Sequence, residues 1–587
     1  MDQLSLWGDE FTVKEDDLNK ILKKTKSKNV EGLSTEKKLS SKYVSIYEKM
    51  ELIKEDVYQK LGHFANDTRV IRSYDEYKRY IDKAIENGII AIDTETNNTI
   101  DVFGDCKLMG LCLYTPGMKQ VYIPVNHKHF TTAYDERGNE QIVMGELLED
   151  QLTEAQIAEQ LVRLDKTFNI FHNAIFDIEV LQQTVGVRVH VDWDTQVGAA
   201  VLDENELKGL KAQYRLHIDS TQEKYDIEHL FEGFSYAIFD PELFALYAAS
   251  DAGITYKLYL WQKEQLEKPD LKDVYKLFKE IEIPILDVVV DMESRGIEVN
   301  KEYASKMSKI YHAKSDAVQE KINKELEVLL PTIEEWKLTP QANERQKVYL
   351  GKKSKLTEDK IAVQYPYTDA KGKRYKWSSK TPAEQLSNPI DLDSGTQLAI
   401  LLYDIVKVPV VKKDEPRGTG KEILDQLADE EHIHLCELIK EKRAVDILID
   451  TFIDAIPQVA KEDNKVHAKF RTVGTKTLRF SSDSPNMQNI PSHDKTVRMI
   501  FKPSDGYAIV GGDYSGQEPR SLCALAQDKD MQRAYEEKQD LYAVIASKCF
   551  KNRYEDNLEF QPQPDGTVIQ SQEGKERRSK AKTVFLG

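Results

Sequence analysis

The segment Gly88–Thr96, GIIAIDTET, constrains this chain more than any other. A run of apolar residues reads as a buried strand, and it ends in polar ones. Asp93 and Glu95 stand two apart, which on a strand puts both carboxylates on one face. They lie at the end of a buried strand, where α/β proteins place ligands. Two acids so close repel unless a cation sits between them. Mg²⁺ or Mn²⁺ is the natural partner, because both prefer carboxylate oxygen.

The surrounding pattern is α/β. A helix is predicted over Tyr74–Asn87, stopped by Gly88. KLMGLCLYT and KQVYIPV are strand candidates separated by Pro116-Gly117. Helical spacing then dominates from about residue 154 to 268. KEIEIPILDVVVDMESRG predicts a further helix ending at Gly296, and VHAKFRTVGT and YAIVGGDYS read as strands. The expected organisation is a charged flexible leader (1–66), an α/β domain (67–270), a helical region (271–460) with a lysine-rich insertion (350–385), and two further segments (461–535, 536–587).

Composition excludes several classes. The net charge of −18 argues against a protein that coats nucleic acid indiscriminately, though a local basic groove stays open. No stretch approaches the roughly 18 apolar residues of a membrane span, and the acidic N-terminus lacks the order of a secretory signal. Five cysteines without CxxC spacing speak against a disulfide framework or a cysteine-ligated zinc site. A cytoplasmic setting follows as the default.

Downstream, FHNAIFDIEVL places Asp177 four residues after Asn173 in a helical pattern. LYAASDAGITYKLY sets Tyr247 and Asp251 four apart, on one helix face. In this order, Asp93-x-Glu95, Asn173-x-x-Phe176-Asp177 and Tyr247-x-x-x-Asp251 resemble the DnaQ-like 3′–5′ exonucleases in their DEDD form with a tyrosine. The resemblance implies a ribonuclease H-like fold and two metal ions. It implies that Asp93 bridges both, that Glu95 and Asp251 hold one, and that Asp177 holds the other through water. Tyr247 is then expected to orient the attacking water.

The second half carries VHAKFRTVGTKTLRFSSDSPNMQNIP, whose polar and basic groups suit phosphates and base edges. It resembles a signature of family A DNA polymerases, the polymerase I type, with Leu478 where the family has glycine and Phe480 where it has leucine. Arg479, Asn486, Gln488 and Asn489 are the implied DNA contacts. AIVGGDYSGQEPR is similar to the family's motif A. The resemblance makes Asp513 one of two catalytic metal-binding aspartates, Glu518 the gate against ribonucleotides, and Arg520 a DNA contact. KERRSKAKTVFLG resembles the start of motif B, with Arg578 and Lys582 one turn apart as triphosphate ligands.

The resemblance thus implies an α/β multidomain chain: exonuclease, thumb, partial palm and the start of the fingers. No segment offers motif C, so polymerisation is expected to need a C-terminal polypeptide, while the exonuclease acts alone. The expected partners are primer-template and single-stranded DNA, with dNTPs once the site is complete. Without a recognisable 5′-nuclease domain, the pattern is similar to a phage replicative enzyme. Gln3, Leu4, Leu6 and Trp7 resemble a short sliding-clamp-binding peptide. The alternatives are a stand-alone exonuclease with a DNA-binding platform and an inactive scaffold for a C-terminal partner.

Overall fold

The computed structural model describes residues 44–97, 99, 101–136, 138–220, 228–231, 233–339, 367–368, 374–375, 390–491, 494–563 and 565–586. The clamp-like peptide and nearly all of the lysine-rich insertion lie outside these residues. The chain divides into two compact units, 1–505 and 506–587. Among the described residues, no helix is long and apolar enough to cross a membrane.

The larger unit is built on a six-stranded sheet. Its strands are β1 (Thr68–Val70), β2 (Ile89–Thr96), β3 (Leu108–Tyr114), β4 (Gln120–Pro124), β7 (Phe168–Phe171) and β8 (Trp193–Asp194), in the order β1-β4-β3-β2-β7-β8. β2 runs antiparallel to β3 and parallel to β7. Strands β5 (Lys128–Tyr134) and β6 (Glu140–Leu147) form a separate hairpin. The predicted helix Tyr74–Asn87 forms with those bounds, capped by Ser73 and ended by Gly88 at φ 71°.

The expected leader is partly a helix. Ile46–Leu61 (α1) opens with a capping box between Ser45 and Glu48. Ile53, Val57 and Leu61 lie on one stripe, fully buried in a cluster with Leu243 and Phe244. Burial of such side chains contributes about 1.5–3 kcal/mol each. The stripe is narrow, and the charged residues around it hide it in the sequence.

Helices Ala174–Thr184 (α2), Leu210–His217 (α3) and Pro241–Leu266 (α4) complete the first domain. α4 crosses the sheet with a face of small residues, among them Ala245, Ala248, Ala249 and Ala252, all buried. Small side chains let the helix backbone come close to β3 and β4. The close fit is marked at Gly253, where a Cβ would lie 2.4 Å from Gln120 Oε1.

Pro284–Arg295 (α5) ends at Gly296 as predicted. It leads into β9 (Ile297–Val299) and the long Lys301–Lys337 (α6). β9 pairs antiparallel with β10 (Lys465–Val466) and with β13 (Phe501–Lys502). Between them, β11 (Lys469–Arg471) and β12 (Ser481–Asp483) form a hairpin. α6 packs with His434–Leu448 over a core that includes Ile322, Leu402, Leu427 and Ile439.

The smaller unit holds helices Gln517–Ala526 (α7), Leu541–Phe550 (α8) and Gln572–Leu586 (α9). The expected strand YAIVGGDYS does not form. Residues 507–514 carry no ladder hydrogen bonds, and Tyr507, Val510 and Tyr514 are 78–90% exposed. A strand exists only through a neighbour that takes its N–H and C=O groups. The described part of this unit offers this segment none.

Candidate exonuclease site and polymerase-type motifs

The first-half residues converge. Asp93 and Glu95 stand on one face of β2, and the β2–β3 register puts Cys112 directly opposite Asp93. Asp177 comes from the first turn of α2 and is buried. The β2–β7 ladder ends at the Ala91↔Ile170 pair. Beyond it, the Thr94 N–H goes to Asp177 Oδ1 at 2.9 Å, and the Thr94 hydroxyl donates to the same oxygen at 2.7 Å. The end of a hydrogen-bond ladder thus positions this carboxylate.

Tyr247 and Asp251 project from the middle of α4, one turn apart. Lys211 of α3 pairs with Asp251 at 2.9 Å, and its Nζ lies 4.5 Å from the centre of the Tyr247 ring. Behind the site, His172 Nδ1 lies 2.8 Å from Thr195 Oγ1. Burial, helped by Lys211, pushes His172 down to about 3, so the ring is neutral at neutral pH.

The electrostatics follow from crowding. Burial and then the charges of Asp177, Glu95 and Asp251 hold Asp93 well above the usual carboxylate range. Burial pushes Asp177 up to about 7 against the Thr94 hydrogen bonds. A buried carboxylate crowded by three others fits a divalent cation, which relieves desolvation and repulsion together.

The structure brings the predicted carboxylates and Tyr247 together. Thr94, Cys112, His172 and Lys211 stand beside them without having been singled out in the sequence. Cys112 was within reach, because pairing the two predicted strands in register brings it beside Asp93. Lys211 lay in an ordinary amphipathic pattern with no local signal.

The second-half residues fall in two places. Arg479, Asn486, Gln488 and Asn489 lie on or beside the β11–β12 hairpin in the larger unit. Asn486 accepts from Gln488 N–H at 3.0 Å, and Gln488 Nε2 donates to Phe480 C=O at 2.8 Å, so these amides also shape their own loop. Leu478, the glycine replacement, stands at φ 56° in the left-handed region.

In the smaller unit, Asp513 is exposed on the unpaired segment, while Glu518 and Arg520 stand in the first turns of α7. Arg520 lies 4.4 Å from the Tyr535 ring centre. Arg578 Nε bonds Asp540 at 2.8 Å, and Arg578 and Lys582 both lie within 6 Å of the Tyr542 ring centre, at 5.4 and 5.8 Å. The two cations therefore share a face of α9, turned toward α8.

Residues 68–267 match the family model of a 3′–5′ exonuclease, and residues 368–563 match that of DNA polymerase family A. The chain thus carries a region similar to 3′–5′ exonucleases followed by a region similar to family A DNA polymerases. It is similar to DNA polymerase I of Treponema pallidum (strain Nichols), 25% identical over 525 residues, covering 84% of this chain and 45% of the relative. DNA polymerase I of Pseudomonas aeruginosa is 24% identical over 541 residues, covering 89% and 48%. The chain thus spans less than half the length of these relatives. In fold it resembles the POL domain of Pol1 from M. smegmatis, described as a complex with DNA primer-template and dNTP. The TM-score is 0.57 at 17% identity, covering 88% of this chain and 71% of that one.

Proposed function

We propose that this chain removes nucleotides from the 3′ end of DNA in a proofreading reaction that depends on two Mg²⁺ or Mn²⁺ ions. The observation that carries the reading is the convergence of Asp93, Glu95, Asp177, Asp251 and Tyr247 on the end of β2 and the middle of α4. Asp93, Glu95, Asp177 and Asp251 would hold the cations, which supply Lewis-acid stabilisation of the scissile phosphodiester. Tyr247 orients the attacking water, and Lys211 beside it steadies Asp251. His172 stays neutral behind the site and adds no competing cation. The test is degradation of labelled single-stranded DNA with Mg²⁺. Asp93→Ala is expected to abolish it, and full activity of that variant would sink the assignment.

We further propose that the second half belongs to a template-directed polymerase site. Arg578 and Lys582 bind the triphosphate of a dNTP, Glu518 excludes ribonucleotides, and Arg479, Asn486, Gln488, Asn489 and Arg520 contact primer-template. Asp513 supplies one metal-binding carboxylate. The exposed, unpaired segment 507–514 favours completion by strands of a C-terminal polypeptide that brings the second carboxylate. Primer extension should then appear only when that polypeptide is added or fused. Extension by the 587-residue chain alone would refute the requirement. The phage-type setting in host cytoplasm and the sliding-clamp contact of Gln3, Leu4, Leu6 and Trp7 belong to the same reading. Deleting residues 2–7 should weaken clamp binding in a pull-down.

A further inference from the structure

Cys112 is fully buried and faces Asp93 across the β2–β3 ladder, and its thiol makes no hydrogen bond among the described residues. Paired positions of an antiparallel ladder project to the same face. One oxygen each of Asp93 and Glu95 and the Cys112 Sγ all lie within 4.8 Å of one another. Ligand bonds of about 2.3 Å to sulfur and 2.0–2.2 Å to oxygen put the ligands of one tetrahedral ion about 3.5 Å apart, inside that limit. Hard ions such as Mg²⁺ take the oxygens and leave sulfur aside, whereas softer ions favour it.

We propose that Cys112 Sγ joins Asp93 and Glu95 in holding a thiophilic divalent cation of the Zn²⁺ and Cd²⁺ class, and that this occupancy displaces the catalytic ion and stops hydrolysis. As the metal–sulfur bond forms, the thiol proton leaves to bulk water, and no oxidant or reductant is involved. The sulfur turns an oxygen-only site into a mixed one. CxxC spacing cannot reveal such a site, because the ligands meet through strand pairing. The inference rests on Asp93 and Glu95 being the metal ligands of the exonuclease.

The test uses the full chain stripped of metal and titrated with Cd²⁺. The readout is the ultraviolet thiolate-to-cadmium charge-transfer band. The parent is compared with Cys112→Ser, Cys112→Ala and Asp93→Asn, and subtraction removes the background of Cys106, Cys436, Cys523 and Cys549. The expected result is a saturable band that both Cys112 variants lack and Asp93→Asn weakens. In parallel, Mg²⁺-driven DNA degradation is measured against Cd²⁺, each variant referred to its own cadmium-free rate. The Cys112 variants should need at least about tenfold more Cd²⁺ for half inhibition, the least that loss of a direct ligand should cost. An identical band and identical inhibition in both Cys112 variants would overturn the proposal. Parent-level degradation by Asp93→Asn would instead overturn the exonuclease reading beneath it.

Discussion

Lys469→Met tests how the exonuclease domain is joined to the β11–β12 hairpin. Lys469 of β11 reaches Glu179 of α2 and Glu293 of α5, whose side chains are 0% and 1% exposed. Glu293 also accepts the Phe470 N–H at 2.5 Å, and the Lys469 ammonium lies 4.8 Å from the Phe103 ring centre. One ammonium cannot neutralise two buried carboxylates, and burial pushes Glu179 up to about 8 despite the lysine. Removing one partner of a buried pair costs about 3–5 kcal/mol. Lys469 keeps 23% exposure and Glu179 can keep a proton, so a loss of about 2–4 kcal/mol is expected. Urea unfolding followed by tryptophan fluorescence measures it, with Trp193 buried in the same domain. Glu179→Gln combined with Lys469→Met should recover part of the loss. The pH dependence has a definite sign. Folded Glu179 holds a proton that the unfolded chain releases above about 4.5, so stability falls as pH rises from about 4.5 to 8 and is level beyond. Glu179→Gln should remove that slope. A loss under about 0.5 kcal/mol for Lys469→Met, as an exposed pair would give, would refute the reasoning.

Metal affinity at the Asp93 cluster should rise with pH through about 7, where Asp177 gives up its proton, and go on rising while Asp93 still holds one. The metal-free site keeps protons on Asp177 and Asp93 that a cation must displace, and calorimetry in two buffers should register their release. Gly110→Ala should destabilise the exonuclease sheet by about 1–3 kcal/mol in the same urea assay, because its Cβ would lie 2.3 Å from the Tyr122 ring. Leu478→Gly should stabilise the hairpin region by up to about 1 kcal/mol, because glycine adopts φ 56° without the Cβ clash. A higher thermal midpoint would register it.

The features legible in the sequence were local ones. An apolar run ending at Asp93, a helix stopped by Gly88, and Tyr247 with Asp251 one turn apart all announce themselves within a few residues. Illegible features depended on contacts between distant segments. Lys211 meets Asp251 only because α3 folds back on α4, and Lys469 meets Glu179 from the far half of the chain. The helix Ile46–Leu61 was hidden because three buried apolar residues among many charges make a weak pattern until α4 supplies their partner. The reverse error occurred at YAIVGGDYS, where strand-like composition met no neighbour to pair with among the described residues.

The ladder that stops at Ala91 also bears on when the site can come into being. Asp177 finds its place through the Thr94 N–H left over where β7 ceases to pair, and Asp251 and Tyr247 arrive on a helix that follows β8 in the chain. A chain growing from its N-terminus displays Asp93 and Glu95 early. It cannot close the constellation around them until β7 has paired and α4 has docked. The carboxylates therefore come together only through contacts between segments far apart in the chain, the kind that form slowly, and a chain arrested before Asp251 would present Asp93 and Glu95 without the rest of the cluster.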